Sequence, residues 1–280
     1  MDKCAFLVTP FPRVARQCQG GHAAVFLALA GRKGVCTKKL SAYSLIPEAV
    51  FCPYINVQLV PIAAVRGQRV QRTQMLTYDK EITALLVIDP YNDFISEGGK
   101  LWESIRAVAE ANNSVPHMLQ VLNAARNARL LIFYVMHRRY RPGDYETWKY
   151  VAPVQKAAWV HKSFEYGTWG GEIRAEFAPR PGEIIATEHW CSSGFANTDL
   201  DLQLKKHRIH QLIVIGQIAH TCIEATVRFA AELGYEVTVV KDAVADYSDE
   251  HMHAALDINI PNYASAIVTT EEIVALISNL

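Results

Sequence analysis

From Ile82 onward, the chain alternates short continuous apolar runs with longer segments whose apolar residues recur at helical spacing. Runs such as ALLVI at 84–88 are typical of strands that are covered on both faces of a sheet. Strands are predicted at 84–88, 130–136, 183–187, 212–215, 235–240 and 265–268. Helices are predicted at 115–128, 198–207, 221–233 and 249–256, and from residue 271 onward. This alternation predicts an α/β fold, a doubly wound, six-stranded, mostly parallel sheet with helices on both faces.

The first 74 residues differ in charge from the rest of the chain. They contain ten Lys and Arg and two acidic residues, whereas the whole chain has 28 of each kind and a formal net charge of zero. They also contain four of the six cysteines. Residues 1–74 are therefore predicted to be a poorly structured or targeting-like basic extension, with a small folded module as the alternative. Residues 75–280 are predicted to form the main folded domain.

Composition excludes several classes of function. Overall neutrality gives no electrostatic reason to expect a nucleic acid or an anionic membrane as partner. No apolar run approaches the roughly 20 residues that cross a bilayer. Only Cys191 and Cys222 lie beyond residue 74, as is typical of a reducing compartment rather than a disulfide framework. Neither GxGxxG nor GxxxxGK[ST] follows a predicted strand, so a nucleotide is not expected. We expect a soluble, cytoplasmic protein that acts on a small molecule.

Two residues that can carry chemistry follow predicted strands. Asp89 comes directly after the first strand, and Cys222 lies six residues after Gly216, where the helix that follows the fourth strand begins. In the commonest doubly wound order these two strands are neighbours, and ligands bind at their carboxyl ends. Asp89 and Cys222 are then expected to converge on one crevice. The start of a helix favours an anion, so the pKa of Cys222 is expected to lie below its usual value of about 8.5. Asp89 is the leading candidate for the base.

Three segments resemble the isochorismatase-like cysteine hydrolase family, and the likeness covers about residues 81–270. The segments are ALLVIDPYNDF at 84–94, SGFANTDLDLQLKKHRI at 193–209 and VIGQIAHTCIEATVRFAAELGYEVTVVKDAVAD at 214–246. The resemblance implies an Asp–Lys–Cys triad with Asp89 as the acid and Cys222 as the nucleophile. It also implies a cis peptide before the cysteine loop, which we place at Ile218–Ala219. The Ala219 and Cys222 amides are then expected to hold an oxyanion.

The third member of the triad departs from the family pattern. The family usually has Lys four residues before the serine of its S-x-F segment, and counting back from Ser193 gives His189. Histidine can donate a hydrogen bond and move protons near neutral pH. Lys162 is the alternative, reaching the site from a loop-like lid at 138–171. We favour His189 over Lys162.

The remaining expectations concern the substrate. The metal-binding branch of the family carries an Asp-x-His-x-His run, which this chain lacks, so no metal and no cofactor are expected. The side chains predicted to line the substrate pocket are Tyr91, Phe94, Lys162, Trp169 and Trp190. The leading function is hydrolysis of a carboxamide through a thioester. The alternatives are a vinyl-ether hydrolase in which Cys222 is a bystander, and a catalytically silent binding protein of the same fold. A homo-oligomer is expected by resemblance.

Overall fold

The computed structural model describes residues 76–280, which form one sheet with helices on both of its faces. The prediction for residues 1–74 lies outside the described residues. The strands are β1 (Thr83–Ile88), β2 (Leu131–Val135), β3 (Ile184–Ile185), β4 (Gln211–Gln217), β5 (Glu236–Ala245) and β6 (Ala266–Val268). All neighbouring strands are parallel, and their order is β3-β2-β1-β4-β5-β6. The predicted fold class is confirmed.

Eight α-helices connect and cover the described strands. They are α1 (Asn92–Ile95), α2 (Trp102–Ala111), α3 (Ser114–Ala128), α4 (Pro153–Val160), α5 (Leu200–Lys206), α6 (Glu224–Glu232), α7 (Asp249–His253) and α8 (Thr270–Ile277). Two π-helical turns precede α6 and follow α7, at Ala219–Ile223 and Ala254–Asn259. None of the helices in residues 76–280 is long and apolar enough to cross a membrane.

The alternation of side chains along β1 divides the core into two layers. Leu86 and Ile88 pack on the face that α5 and α6 cover, whereas Leu85 and Val87 pack on the face of α3 and α8. All six residues of β1 are buried, which explains why this strand is apolar at every position except Thr83. Strand β1 therefore lies at the centre of the sheet, and its carboxyl end is covered from both sides.

Some of the helices were not predicted from the sequence. Helix α2 was not predicted, and the segment 138–171, which was predicted to be a loop, contains α4. A buried carboxylate anchors this segment, because Asp93 accepts hydrogen bonds from the Phe164 amide at 2.7 Å and the Lys100 amide at 3.0 Å. These contacts join residues 71 and 7 positions apart. No local periodicity reports such contacts.

Candidate active site

The carboxyl ends of β1 and β4 lie side by side, as the predicted strand order requires. Ile88 pairs with Gly216, which has a φ of 131°. A Cβ atom at Gly216 would meet the Ile88 carbonyl oxygen at 2.1 Å, so the close approach of the two strands depends on glycine here. Asp89, which follows immediately, lies in the left-handed region with a φ of 53°. The backbone thus turns sharply where β1 ends, and Asp89 lies at the carboxyl end of the sheet.

Asp89, His189 and Cys222 lie close together at the carboxyl ends of these strands. One oxygen of Asp89, one ring nitrogen of His189 and the sulfur of Cys222 all lie within 4.8 Å of one another. All three residues are buried. The catalytic roles predicted for them remain predictions, but the three side chains share one enclosed space.

Main-chain contacts hold His189 in place. Its backbone forms a parallel bridge with His137 beyond the end of β2. The His189 amide donates to the Met136 carbonyl at 2.9 Å, and the His189 carbonyl accepts from the Arg138 amide at 2.8 Å. Its Nδ1 lies 2.9 Å from the Cys191 carbonyl oxygen, and since a carbonyl can only accept, Nδ1 carries a proton. Its Nε2 lies 3.4 Å from Oδ1 of Asp89.

His137 supports the acid from the other side. Its backbone amide donates to Oδ1 of Asp89. Burial, followed by the nearby charge of His189, lowers the pKa of the His137 imidazole to about 4. His137 is therefore neutral near neutral pH. This role could not be predicted from the residue type, because the contact is made by a main-chain group.

The expected activation of Cys222 by a helix start is wrong. Helix α6 begins at Glu224, and Cys222 lies in the π-helical turn before it. Burial raises the pKa of the Cys222 thiol well above its usual value, and the charge and hydrogen bonding of Asp89 raise it further. The resting sulfur is therefore a thiol, and ionisation requires a base at the moment of reaction.

The cis peptide bond lies one residue earlier than predicted. It joins Gln217 to Ile218, not Ile218 to Ala219. Strand β4 continues through Gln217, which pairs with Ala245, so the chain leaves the sheet at the Gln217–Ile218 bond. Ile218 and Ala219 are both buried at the start of the turn that carries Cys222.

The side chains predicted to line the pocket differ in burial. Tyr91 and Phe94 are buried and pack against Phe164, with ring centroids 4.6 and 4.9 Å apart, so they form a layer beneath His137 instead of an open wall. The side chain of Lys162 is exposed, and its Nζ lies 5.8 Å from the Tyr140 ring centroid. The structure places His189, and not Lys162, beside Asp89.

The two predicted tryptophans have other surroundings. Trp190 is half-buried and packs against Tyr145 and Trp148, with the Arg138 guanidinium 4.6 Å from its ring centroid. Trp169 lines a surface cavity of about 590 Å³ together with Trp102, and that cavity includes none of the three clustered side chains. Their role in binding a substrate remains a prediction.

Residues that the sequence did not single out lie near Cys222 on the β5 side. Tyr247 is partly exposed, and burial, the charge of Cys222 and that of Asp246 raise its pKa to about 12. Asp246 is buried and accepts from Nδ1 of His220 at 2.7 Å and from the Tyr247 amide at 2.7 Å. His251 is half exposed and stacks on His220 with ring centroids 4.4 Å apart.

Comparison with known proteins agrees with the fold and the segments quoted above. The model of the isochorismatase domain matches residues 83–272. An uncharacterized isochorismatase family protein, YddQ of Bacillus subtilis (strain 168), is 30% identical over 198 residues, covering 68% of this chain and 97% of that protein. Ureidoacrylate amidohydrolase RutB of Caulobacter segnis is 28% identical over 211 residues, covering 72% of this chain and 88% of that protein.

A solved structure shows the same architecture. The cysteine hydrolase from Pseudomonas syringae pv. phaseolicola 1448A superimposes with a TM-score of 0.61 at 22% identity, covering 73% of this chain and 96% of that one. At this identity the likeness concerns the fold alone, and the family assignment rests on the matched domain and on the relatives. This chain belongs to the isochorismatase family of hydrolases.

Proposed function

We propose that this hydrolase cleaves a carboxamide C–N bond of a small molecule, with Cys222 as the nucleophile. The observation that carries the proposal is the convergence of Asp89 and Cys222, whose reactive atoms lie within 4.8 Å in a buried space. Ureidoacrylate amidohydrolase, a relative by sequence, is named for an amide substrate, which supports the same reaction class.

Acylation follows from the protonation states of the two groups. The Cys222 thiol has a raised pKa, so Asp89 accepts its proton as the sulfur attacks the carbonyl carbon. The C=O π electrons move to oxygen, and the Ala219 and Cys222 amides are the proposed donors to that oxyanion. When the oxyanion collapses, the C–N bond breaks and the leaving nitrogen takes the proton from Asp89. The products are an amine and a thioester.

Deacylation uses the same carboxylate. Asp89 accepts a proton from water as the water oxygen attacks the thioester carbon. Collapse of this second intermediate breaks the C–S bond, and the departing sulfur recovers the proton from Asp89. A carboxylic acid is released and the free thiol is restored.

His189 is the proposed counterpart of the family lysine. When it is protonated, Nε2 faces Oδ1 of Asp89 at 3.4 Å and the imidazolium supplies a positive charge beside the carboxylate. The Nδ1–H bond to the Cys191 carbonyl fixes the ring orientation. A buried positive charge at this place stabilises the ionised form of Asp89 that the base step needs.

Screening a library of small carboxamides and ureido compounds tests the proposal. Wild type is compared with Cys222→Ser and with His253→Ala as a control, because His253 is exposed and, within residues 76–280, forms an ion pair with Asp257 alone. We expect to find an amide that wild type and His253→Ala hydrolyse and Cys222→Ser does not. After a rapid acid quench of the wild-type reaction, mass spectrometry should find the mass of the acyl group added to the peptide that contains Cys222. Amide turnover that survives undiminished in Cys222→Ser contradicts a cysteine nucleophile. Ligand binding without turnover by any variant favours a silent binding protein.

A further inference from the structure

We propose that Asp89, His189 and Cys222 also form a binding site for a divalent transition-metal ion of the zinc type. This site would be separate from the Asp-x-His-x-His run whose absence led us to expect no metal. The proposal concerns coordination by these three side chains and does not depend on whether they hydrolyse an amide.

Two unpartnered polar atoms point to a ligand at this place. Oδ2 of Asp89 and Nε2 of His189 are fully buried and have no hydrogen-bond partner among the described residues. Both side chains have no exposed surface. Buried polar groups without partners are rare in native proteins, because their lost hydration is not replaced. A cation that accepts electron pairs from both atoms satisfies them together.

The orientation of His189 suits metal ligation. Because Nδ1 donates its proton to the Cys191 carbonyl at 2.9 Å, the neutral ring carries its free lone pair on Nε2, which faces Asp89. Histidine ligands of metals commonly donate their other ring nitrogen to a backbone carbonyl, which fixes the tautomer in this way. The main-chain bridge to His137 holds the residue as well.

The distances and the donor types also fit. With metal–nitrogen and metal–oxygen bonds of about 2.1 Å, tetrahedral ligand atoms lie about 3.4 Å apart. Nε2 of His189 lies 3.4 Å from one Asp89 oxygen, Oδ1, and the unpartnered oxygen, Oδ2, belongs to the same carboxylate. Sγ of Cys222, one Asp89 oxygen and one His189 ring nitrogen lie within 4.8 Å of one another. One nitrogen, one sulfur and one oxygen are ligands that zinc accepts, and three protein ligands leave a fourth position open.

Histidine at position 189 is the decisive residue. A protonated lysine amine has no lone pair, so the family's usual residue would place a competing positive charge where the metal would bind. Here the imidazole loses its Nε2 proton, if it carries one, and the Cys222 thiol loses its proton to solvent when the metal–sulfur bond forms. The bound ion would then hold the sulfur that the proposed hydrolysis requires.

A second cluster of possible ligands is less suitable. His220, Asp246 and His251 also bring ligand atoms within 4.8 Å of one another. Their two imidazole rings stack at an interplanar angle of 17°, so their nitrogen lone pairs do not converge on one point. Asp246 is also already hydrogen-bonded, since the His220 ring, the His220 amide and the Tyr247 amide all donate to it.

Cobalt(II) titration of the chelator-treated full chain tests the proposal, because a cobalt–thiolate bond gives a charge-transfer band in the near ultraviolet. Four other cysteines lie in residues 1–74, so the readout is the difference between wild type and Cys222→Ser. We expect a band in that difference at one equivalent of metal. The same band should be absent from His189→Lys, and it should be retained in Cys191→Ser, the control for the other described cysteine. Identical spectra for wild type and Cys222→Ser, or a full band in His189→Lys, would overturn the proposal.

A second measurement uses only wild type and avoids variants that fail to fold. Zinc is added at a pH at which Cys222 of the metal-free chain is alkylated, and each cysteine is mapped by mass spectrometry. We expect zinc to slow the modification of Cys222 at least about tenfold without slowing that of Cys191, because the coordinated sulfur is no longer a free nucleophile. Equal modification of Cys222 with and without zinc contradicts the site, whatever the outcome of the amide screen.

Discussion

Nε2 of His189 lies 3.4 Å from Oδ1 of Asp89, and both side chains are fully buried. These residues are 100 positions apart in the sequence. Only the family motif predicted that they share one site. In the fold they meet because His189 continues the sheet beside His137, next to the end of β1. The pair thus stands where the family pattern places an acid and a lysine.

Replacing His189 by Lys tests whether a positive charge is what the reaction needs at this position. His189→Lys is expected to retain turnover of a substrate found in the amide screen to within about tenfold. His189→Ala is expected to lose about 10²–10⁴ in kcat, since the proposed base then lacks the neighbouring imidazole. Steady-state kinetics on both variants checks this. Equal losses in Lys and Ala would show that the imidazole itself is required.

Asp89→Asn separates thiol reactivity from catalysis. The charge and hydrogen bonding of Asp89 raise the pKa of Cys222, so the amide variant is expected to lower that pKa and shift alkylation by iodoacetamide to lower pH. Turnover should nevertheless fall by about 10²–10⁴, because the base is gone. Mass-spectrometric mapping across pH 6–10 gives the profile, with Cys191 in the same chain as an internal reference. A Cys222 profile that stays in place or moves to higher pH contradicts this electrostatic account.

The buried thiol also makes stability depend on pH. The folded-state pKa of Cys222 is raised, so the folded chain keeps the proton while the unfolded chain loses it above about pH 8.5. This contribution is fully present below pH 8.5 and is lost as the pH rises toward the folded-state pKa. Between pH 8.5 and 10, the free energy of unfolding of wild type should fall more steeply than that of Cys222→Ser, by about 1.4 kcal/mol per pH unit.

Denaturant unfolding at several pH values measures this slope. The tyrosines with raised pKa values ionise in the unfolded chain only near pH 10, so they contribute little within this window. Their contribution is also the same in both proteins. Parallel curves for wild type and Cys222→Ser would mean that the thiol is not buried in its neutral form.

Gly216→Ala tests the close approach of β1 and β4. A Cβ atom there would meet the Ile88 carbonyl oxygen at 2.1 Å, at a φ of 131°. We expect a loss of about 3–5 kcal/mol in the free energy of unfolding, because the clash is with backbone that cannot move aside. Turnover should fall as well, since Ile88 directly precedes Asp89.

Gly234→Ala is the matched control for this substitution. Gly234 has a φ of 93°, but a Cβ atom would meet nothing within 4 Å. Backbone strain alone should cost about 1–2 kcal/mol and leave turnover unchanged. Thermal and denaturant unfolding of the two variants measures the difference. Equal losses in the free energy of unfolding would contradict a steric clash at position 216.

The strand positions and the proximity of Asp89 to Cys222 were predictable, because apolar runs and the commonest strand order depend on general packing rules. The pKa of Cys222 was not predictable, because it depends on burial and on a carboxylate that is distant in sequence. The surroundings of Trp169 and Lys162 were not predictable for a related reason. The lid that carries them is anchored by the carboxylate of Asp93, and neither the partner residues nor their direction can be read from spacing.

The contacts that hold position 189 have an evolutionary consequence. The backbone of His189 is held by main-chain groups, which every non-proline residue possesses, and its ring adds contacts to Asp89, His137 and the Cys191 carbonyl. The identity of the side chain can therefore change here with little change to the scaffold. Position 189 can therefore hold a lysine, which is a fixed cation, or a histidine, whose ring titrates and can bind a metal. One inherited fold can in this way acquire different chemistry at the same point.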